Sequence, residues 1–313
     1  MKYKSVLDLI GNTPLVQVQS LSPTPEVRLW VKLEGQNPTG SVKDRIALAM
    51  VESGEASGEL TKDKVILEPT SGNTGISLAM VARIRGYSFT AVIPDNASAE
   101  RISLLRAFGA EIIFSEGAKG TNGSVALAQE IAADERYYMP FQYGNETNVL
   151  AHYKGTAREI LEDLPEVKAF VAGLGTGGTL TGVGRRLKEH DPDVKVVAAE
   201  PELGELVYGL RSLEEGYIPP IFDPDILDGK IKVRARESIV WTRELLRKEG
   251  IFSGISAGAV IWVAQRTAER LAASGGGDVV CLLADGGWKY MSTEAWTQEL
   301  DVAESQVEEV LWW

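Results

Sequence analysis

Short apolar runs and amphipathic stretches alternate along the chain, most of them closed by glycine or proline. Residues 65–67 form an apolar run that ends at a Pro/Thr/Ser/Gly turn, and 76–85 reads as a helix stopped by Gly86. Residues 89–93 predict a strand before Pro94, 99–108 a helix before Gly109, 111–114 a strand and 123–133 a helix. The rhythm resumes at 169–172, a strand that enters a glycine-rich turn, with a helix over 179–189 and a strand over 194–199. Residues 241–249 and 257–274 predict helices, with Ile251 and Phe252 strand-like between them, and 279–284 predicts a late strand. Strand–helix alternation of this kind predicts βαβ units around a mostly parallel sheet, an α/β fold. Residues 203–236 break the pattern. They are rich in Gly, Pro, Asp and Glu, and a loop this long is functional or mobile.

Composition narrows the class. The 313 residues are enough for one large or two ordinary domains, and 44% hydrophobic content fits a globular protein with a sizeable core. A net charge of -12 with no basic stripe argues against nucleic acid and favours a partner with a basic face. The single cysteine, Cys281, lies in an apolar run and reads as an inert strand residue. The two histidines, His152 and His190, do not suggest a metal pair. The first residues lead into no hydrophobic signal core, and no apolar run approaches a membrane span, so a cytoplasmic protein is expected.

Three segments carry chemistry. In NPTGSVKDR (37–45), Lys43 sits just beyond a Pro/Gly turn and before an apolar run. A lysine that holds a cofactor aldehyde needs a fixed backbone and a partly desolvated amine, whereas an ordinary helix start needs neither. GLGTGGT (173–179) follows a strand and precedes a helix. Its glycines let backbone N–H groups close around an anion at a helix N-terminus, and Thr176 and Thr179 can donate hydroxyls. A dinucleotide turn and a plain tight turn stay open, although the P-loop ending is missing and only Glu200 stands where a ribose-binding acid belongs. TSGNTG (70–75) also joins a strand to a helix, as a capping turn or a second anion nest. Ser256 reads as the cap of the 257–274 helix, and Arg211 as a solvated loop arginine paired with Glu214 or Glu215.

In this order the three segments resemble the fold type II pyridoxal-phosphate enzymes, specifically the cysteine synthases, from GNTPL (11–15) to about residue 292. Within them the chain is most similar to the actinobacterial O-phosphoserine-dependent type, which takes sulfur from a thiocarboxylated carrier protein. The resemblance implies a tryptophan synthase β-like homodimer of two three-layer α/β domains. The smaller would hold 1–10 and 37–148, the larger 11–36 and 149–313 with the C-terminal tail. It implies pyridoxal 5'-phosphate, with Lys43 as Schiff-base lysine and proton shuttle. Asn73 would bond the ring hydroxyl oxygen, and Gly175, Thr176, Gly177, Gly178 and Thr179 would cup the phosphate. Ser256 would bond the pyridine nitrogen, a milder arrangement than a carboxylate and suited to β-elimination. Thr70, Ser71, Thr74 and Gln142 would bind the substrate carboxylate. Arg211 would select a phosphate ester, which a guanidinium binds with two parallel bonds.

The implied activity is β-replacement through an aminoacrylate, making L-cysteine from O-phospho-L-serine and the carrier or sulfide. Alternatives are an O-acetylserine sulfhydrylase using free sulfide and a catalytically silent scaffold for a partner enzyme. The retained Lys43, Asn73, glycine turn and Ser256 argue against the scaffold. The terminal Trp312 and Trp313 are expected to pack on the body or a dimer mate, or to cover the site mouth as a lid.

Overall fold

The computed structural model describes residues 2–70, 72–97 and 99–309. Ser71 and the tail residues Leu311, Trp312 and Trp313 lie outside the described residues. The strands are β1 (Leu15–Gln17), β2 (Val27–Leu33), β3 (Val65–Pro69), β4 (Ser88–Pro94), β5 (Glu111–Ser115), β6 (Tyr137–Tyr138), β7 (Val167–Gly173), β8 (Lys195–Pro201), β9 (Gly229–Val233) and β10 (Gly277–Leu283). They form a sheet in the order β1-β2-β10-β7-β8-β9 and another in the order β5-β4-β3-β6. All neighbours pair in parallel except β1 with β2, and Cys281 stands opposite both Val31 and Val171.

The helices are α1 (Lys43–Ser57), α2 (Asn73–Arg85), α3 (Ala99–Ala107), α4 (Gly120–Ile131), α5 (Glu146–Ala151), α6 (Ala157–Asp163), α7 (Gly178–His190), α8 (Ala235–Glu249), α9 (Ser256–Ala272) and α10 (Leu300–Glu309). Side chains alternating along the strands send each sheet's apolar surface both ways. In the larger sheet Val279, Cys281, Ala169 and Val171 face one core with residues of α9, while Val280, Leu282, Phe170 and Ala172 face another with residues of α7. In the smaller sheet Ile66, Ala91 and Ile93 pack with α1 and α2, and Leu67 and Val92 pack with α4. Each sheet is therefore the middle of three layers. Phe170 is fully buried, and removing such a side chain from water contributes about 1.5–3 kcal/mol.

Several element boundaries depart from the sequence reading. The stretch 203–236 contains β9, an edge strand whose Lys230 and Lys232 reach the buried Glu200. Alternating lysines in a loop-like composition hide such a strand. The helix expected from 241 begins at Ala235, where Glu237 reaches back to the Arg234 backbone N–H. Ile251 and Phe252 form no strand; only an isolated bridge joins Ser253 to Gly286. Strands β1 and β2, which precede the smaller sheet in sequence, pair into the larger one. Cys281 is buried, and burial pushes its thiol up to about 12, which leaves it inert.

Candidate active site

The site lies where the C-terminal ends of both sheets meet. Lys43 is the first residue of α1, and the loop before it is tied to the end of β10. Val42 donates its N–H to the Ala284 carbonyl at 2.8 Å, and Ser41 bridges to Asp285. The loop is braced from within by Asp44, which is buried and accepts from the Thr39 N–H at 2.7 Å and the Ser77 hydroxyl at 2.6 Å. Arg45 sits in a buried ion network with Glu34 and Glu159, each 2.7 Å away, and Lys32 joins it at 2.7 Å from Glu159. These contacts over-determine the backbone that presents Lys43. Loss of water pushes the Lys43 amine below the usual lysine range, and Asp285 and Glu34 pull it only partly back.

Two helix N-termini face the same cleft. The turn after β7 reaches α7 through Gly177, whose φ of 83° suits glycine and strains other residues. At Gly178 a Cβ would lie 2.1 Å from Asn148 Oδ1, so only glycine lets α7 approach this asparagine. Asn148 donates to Thr176 Oγ1 at 3.2 Å, and Thr179 Oγ1 lies 3.1 Å from His152 Nε2. On the other side, Thr70 Oγ1 accepts from the N–H groups of Gly72 and Gly75, each at 3.2 Å. Thr70 thus shapes the turn into α2 without capping it in the usual way. Thr74 donates to Gln142 Oε1 at 2.7 Å. Gln142 and the left-handed Phe141 are held by Glu68, which accepts both backbone N–H groups at 2.8 and 2.7 Å. Burial pushes Glu68 up to about 8 against those two bonds.

One cavity is lined by Lys43, Thr70, Asn73, Thr74, Gln142 and Arg211. A continuous one takes in Gly175, Thr176, Gly177, Thr179 and Ser256 beside Lys43 and Asn73. Ser256 opens α9, which has no side-chain cap, so the bland capping reading of this serine is not realised. Gly178 lies behind the lining. Arg211 is 9% exposed rather than solvated. Its guanidinium stacks on Tyr143 and Tyr217, 5.4 and 4.9 Å from the ring centroids. It makes a direct ion pair with neither expected partner: Glu214 bridges to Lys232, and Glu215 feels the Arg211 charge at longer range.

The pyridoxal-phosphate dependent enzyme family model matches residues 6–285. The chain belongs to this family. It is similar to a probable cysteine synthase of Bacillus subtilis, with 44% identity over 93% of this chain and 96% of the relative. Among solved structures, an O-ureido-L-serine synthase superposes with a TM-score of 0.89 at 39% identity, covering 96% of this chain and 97% of the other. A cysteine synthase from Entamoeba histolytica has a TM-score of 0.89 at 32% identity, covering 98% and 96%.

The residues of this pyridoxal-phosphate dependent enzyme fit the cofactor. They offer an amine of lowered basicity, an anion cradle at the start of α7 and a hydroxyl at the start of α9. Asn148 Oδ1 and Asp285 Oδ1 are buried beside the cradle and the lysine without a partner among the described residues. When bound, pyridoxal phosphate supplies an electron sink for the substrate α-carbon.

The sequence reading missed Asp285, Tyr290 and Lys289. Asp285 accepts from Asn73 Nδ2 at 2.7 Å and from the Tyr290 hydroxyl at 2.5 Å, and Lys289 donates to Asn73 Oδ1 at 2.7 Å. Asp285 and Lys289 lie 212 and 216 residues beyond Asn73 in the chain, and local pattern carries no sign of that meeting.

Proposed function

We propose that this enzyme is a cysteine synthase that replaces the phosphate ester of O-phospho-L-serine by sulfur. The observation that carries the reading is Arg211: a buried cation on the cleft wall, set over two tyrosine rings and with no carboxylate in direct ion-pair contact among the described residues. Glu215 reaches this guanidinium only as a longer-range charge, and a phosphate ester would meet it directly with two charge-assisted bonds. An acetyl ester would not.

In this reading Thr70, Ser71, Thr74 and Gln142 hold the substrate carboxylate, and Gly175, Thr176, Gly177, Gly178 and Thr179 hold the cofactor phosphate. Ser256 faces the ring nitrogen, and Asn73 faces the ring oxygen. Lys43, freed from the cofactor, takes the α-proton as the Cβ–O bond breaks and phosphate leaves. It returns a proton to Cα after sulfur adds at Cβ. The proposed sulfur source is a thiocarboxylated carrier protein with a basic face, whose sulfur adds at Cβ and whose acyl–sulfur bond is then cleaved by water to leave the carrier carboxylate; such a partner suits a chain of net charge -12. The proposal includes a cytoplasmic homodimer and a smaller unit (1–10 and 37–148) set against a larger one (11–36 and 149–313). The membership of the two sheets supports that division.

The test is kcat/KM for O-phosphoserine and O-acetylserine in the wild type and Arg211→Ala. Two charge-assisted bonds of about 1.5–3 kcal/mol each predict a loss of about 100-fold or more with the phosphate ester. The acetyl ester should lose about threefold or less. Equal losses overturn the assignment, and a wild type that prefers the acetyl ester moves the enzyme to the ordinary sulfhydrylases.

A further inference from the structure

Lys289 lies on the 3-10 run Gly287–Thr293 just after β10 and is 7% exposed. Its ammonium donates to Asn73 Oδ1 at 2.7 Å, while Asn73 Nδ2 donates to Asp285 Oδ2 at 2.7 Å. Tyr290 donates to the same Asp285 oxygen at 2.5 Å. A side-chain amide looks alike either way round, and its neighbours decide which end is which. Here a cation holds the oxygen end and a carboxylate holds the nitrogen end. Rotating the amide by half a turn would set its NH2 against an ammonium and its oxygen against a carboxylate. Both contacts would become repulsive in a buried setting.

We propose that Lys289 is a positioning residue for cofactor binding: with Asp285 it locks the Asn73 amide so that its second N–H is presented to the cofactor ring. The inference rests on the assignment of Asn73 to the ring oxygen. A neutral apolar side chain at 289 would leave Asn73 Oδ1 without its cation and free the amide to turn.

The lock is sensitive to pH. Burial lowers the Lys289 pKa to about 8, opposed by Asp285 and Asp44 and reinforced by Arg101 and Lys43, which all face it. The Trp288 ring lies 5.3 Å from its nitrogen. As pH rises through about 8 the ammonium becomes an amine, which can accept as well as donate, and the penalty against the turned amide falls.

The experiment is equilibrium binding of pyridoxal phosphate to the full chain carrying Lys43→Ala, so that the covalent link does not mask affinity. It is run from pH 6.5 to 9.5, with the melting temperature of each apo-protein recorded. Lys289→Met should weaken binding about tenfold or more at pH 7. Lys289→Arg should restore it to within about threefold and remove the alkaline weakening, which lies somewhat above pH 8 in this background because Lys43 no longer helps to lower the Lys289 pKa. In an Asn73→Ala background, Lys289→Met should have no further effect. Tight binding by Lys289→Met overturns the proposal, as does full additivity with Asn73→Ala, an alkaline step that survives in Lys289→Arg, or a loss that arginine does not rescue. If Asn73→Ala itself binds as tightly as its parent, the assignment of Asn73 fails first. If Asn73→Ala binds weakly and Lys289→Met tightly, only the lysine inference fails.

Discussion

Glu159→Gln tests the reasoning about how the Lys43 loop is held. Glu159 accepts from Arg45 Nη1 and Nη2 at 2.7 Å each, lies 2.7 Å from Lys32 and accepts the Asn12 N–H at 3.0 Å. Burial alone would raise its pKa, but the bonds and charges of Arg45 and Lys32 outweigh that and hold it at about 2, against 4.5 for an unperturbed glutamate. At about 1.4 kcal/mol per pKa unit, the difference amounts to roughly 3 kcal/mol of folding stability. The sign is that of a depressed acid: the contribution is complete above the unfolded pKa of 4.5 and fades as pH falls towards 2. At pH 3 about 1.4 kcal/mol should remain, so about 2 kcal/mol has gone. The glutamine variant keeps the shape but lacks the titration. It should be less stable at pH 7 by about 3–5 kcal/mol, since Arg45 and Lys32 then stay buried with less counter-charge. Urea unfolding of both proteins at half-unit steps from pH 7 to pH 3 measures the gap. It should narrow by about 2 kcal/mol over that range; a gap of constant size would refute the argument.

Two further outcomes follow from the site. Lys43→Ala should abolish the visible absorption of the cofactor-linked protein, and unchanged colour after purification with pyridoxal phosphate would remove Lys43 from the site. Gly178→Ala would drive a Cβ to within 2.1 Å of Asn148 Oδ1, whose amide is tied to the Gln142 carbonyl and Thr176. Overpacking of about 1–3 kcal/mol should displace the cradle and weaken pyridoxal phosphate about tenfold or more, while phosphate-free pyridoxal changes little; equal weakening of both would contradict the cradle.

The parts of the site that lie within one turn of chain were legible in the sequence. Lys43 behind its Pro/Gly turn, the 173–179 glycines and the 70–75 turn each announce a constrained backbone, because few residue types can occupy it. The strands were legible where both faces are buried, as in 279–283, since a continuous apolar run has no other use there. β9 was not, because an edge strand presents lysines to a neighbouring glutamate and so imitates a loop. The burial of Arg211 was also invisible: it depends on Tyr143 and Tyr217 arriving from different segments. Asp285 and Lys289 carry no local signal because their meaning is their contact with Asn73.

The path from Thr74 to Gln142, on to Asn148 through the Gln142 carbonyl at 2.9 Å, and then to Thr176 at 3.2 Å joins the proposed carboxylate seat to the phosphate cradle. A ligand that orders one end of this path lowers the cost of ordering the other, and linkage makes the favour mutual. In the Lys43→Ala protein, where no covalent link contributes, occupancy of the carboxylate seat should therefore tighten the hold on the cofactor phosphate. The coupling would run through three hydrogen bonds rather than through a separate regulatory site.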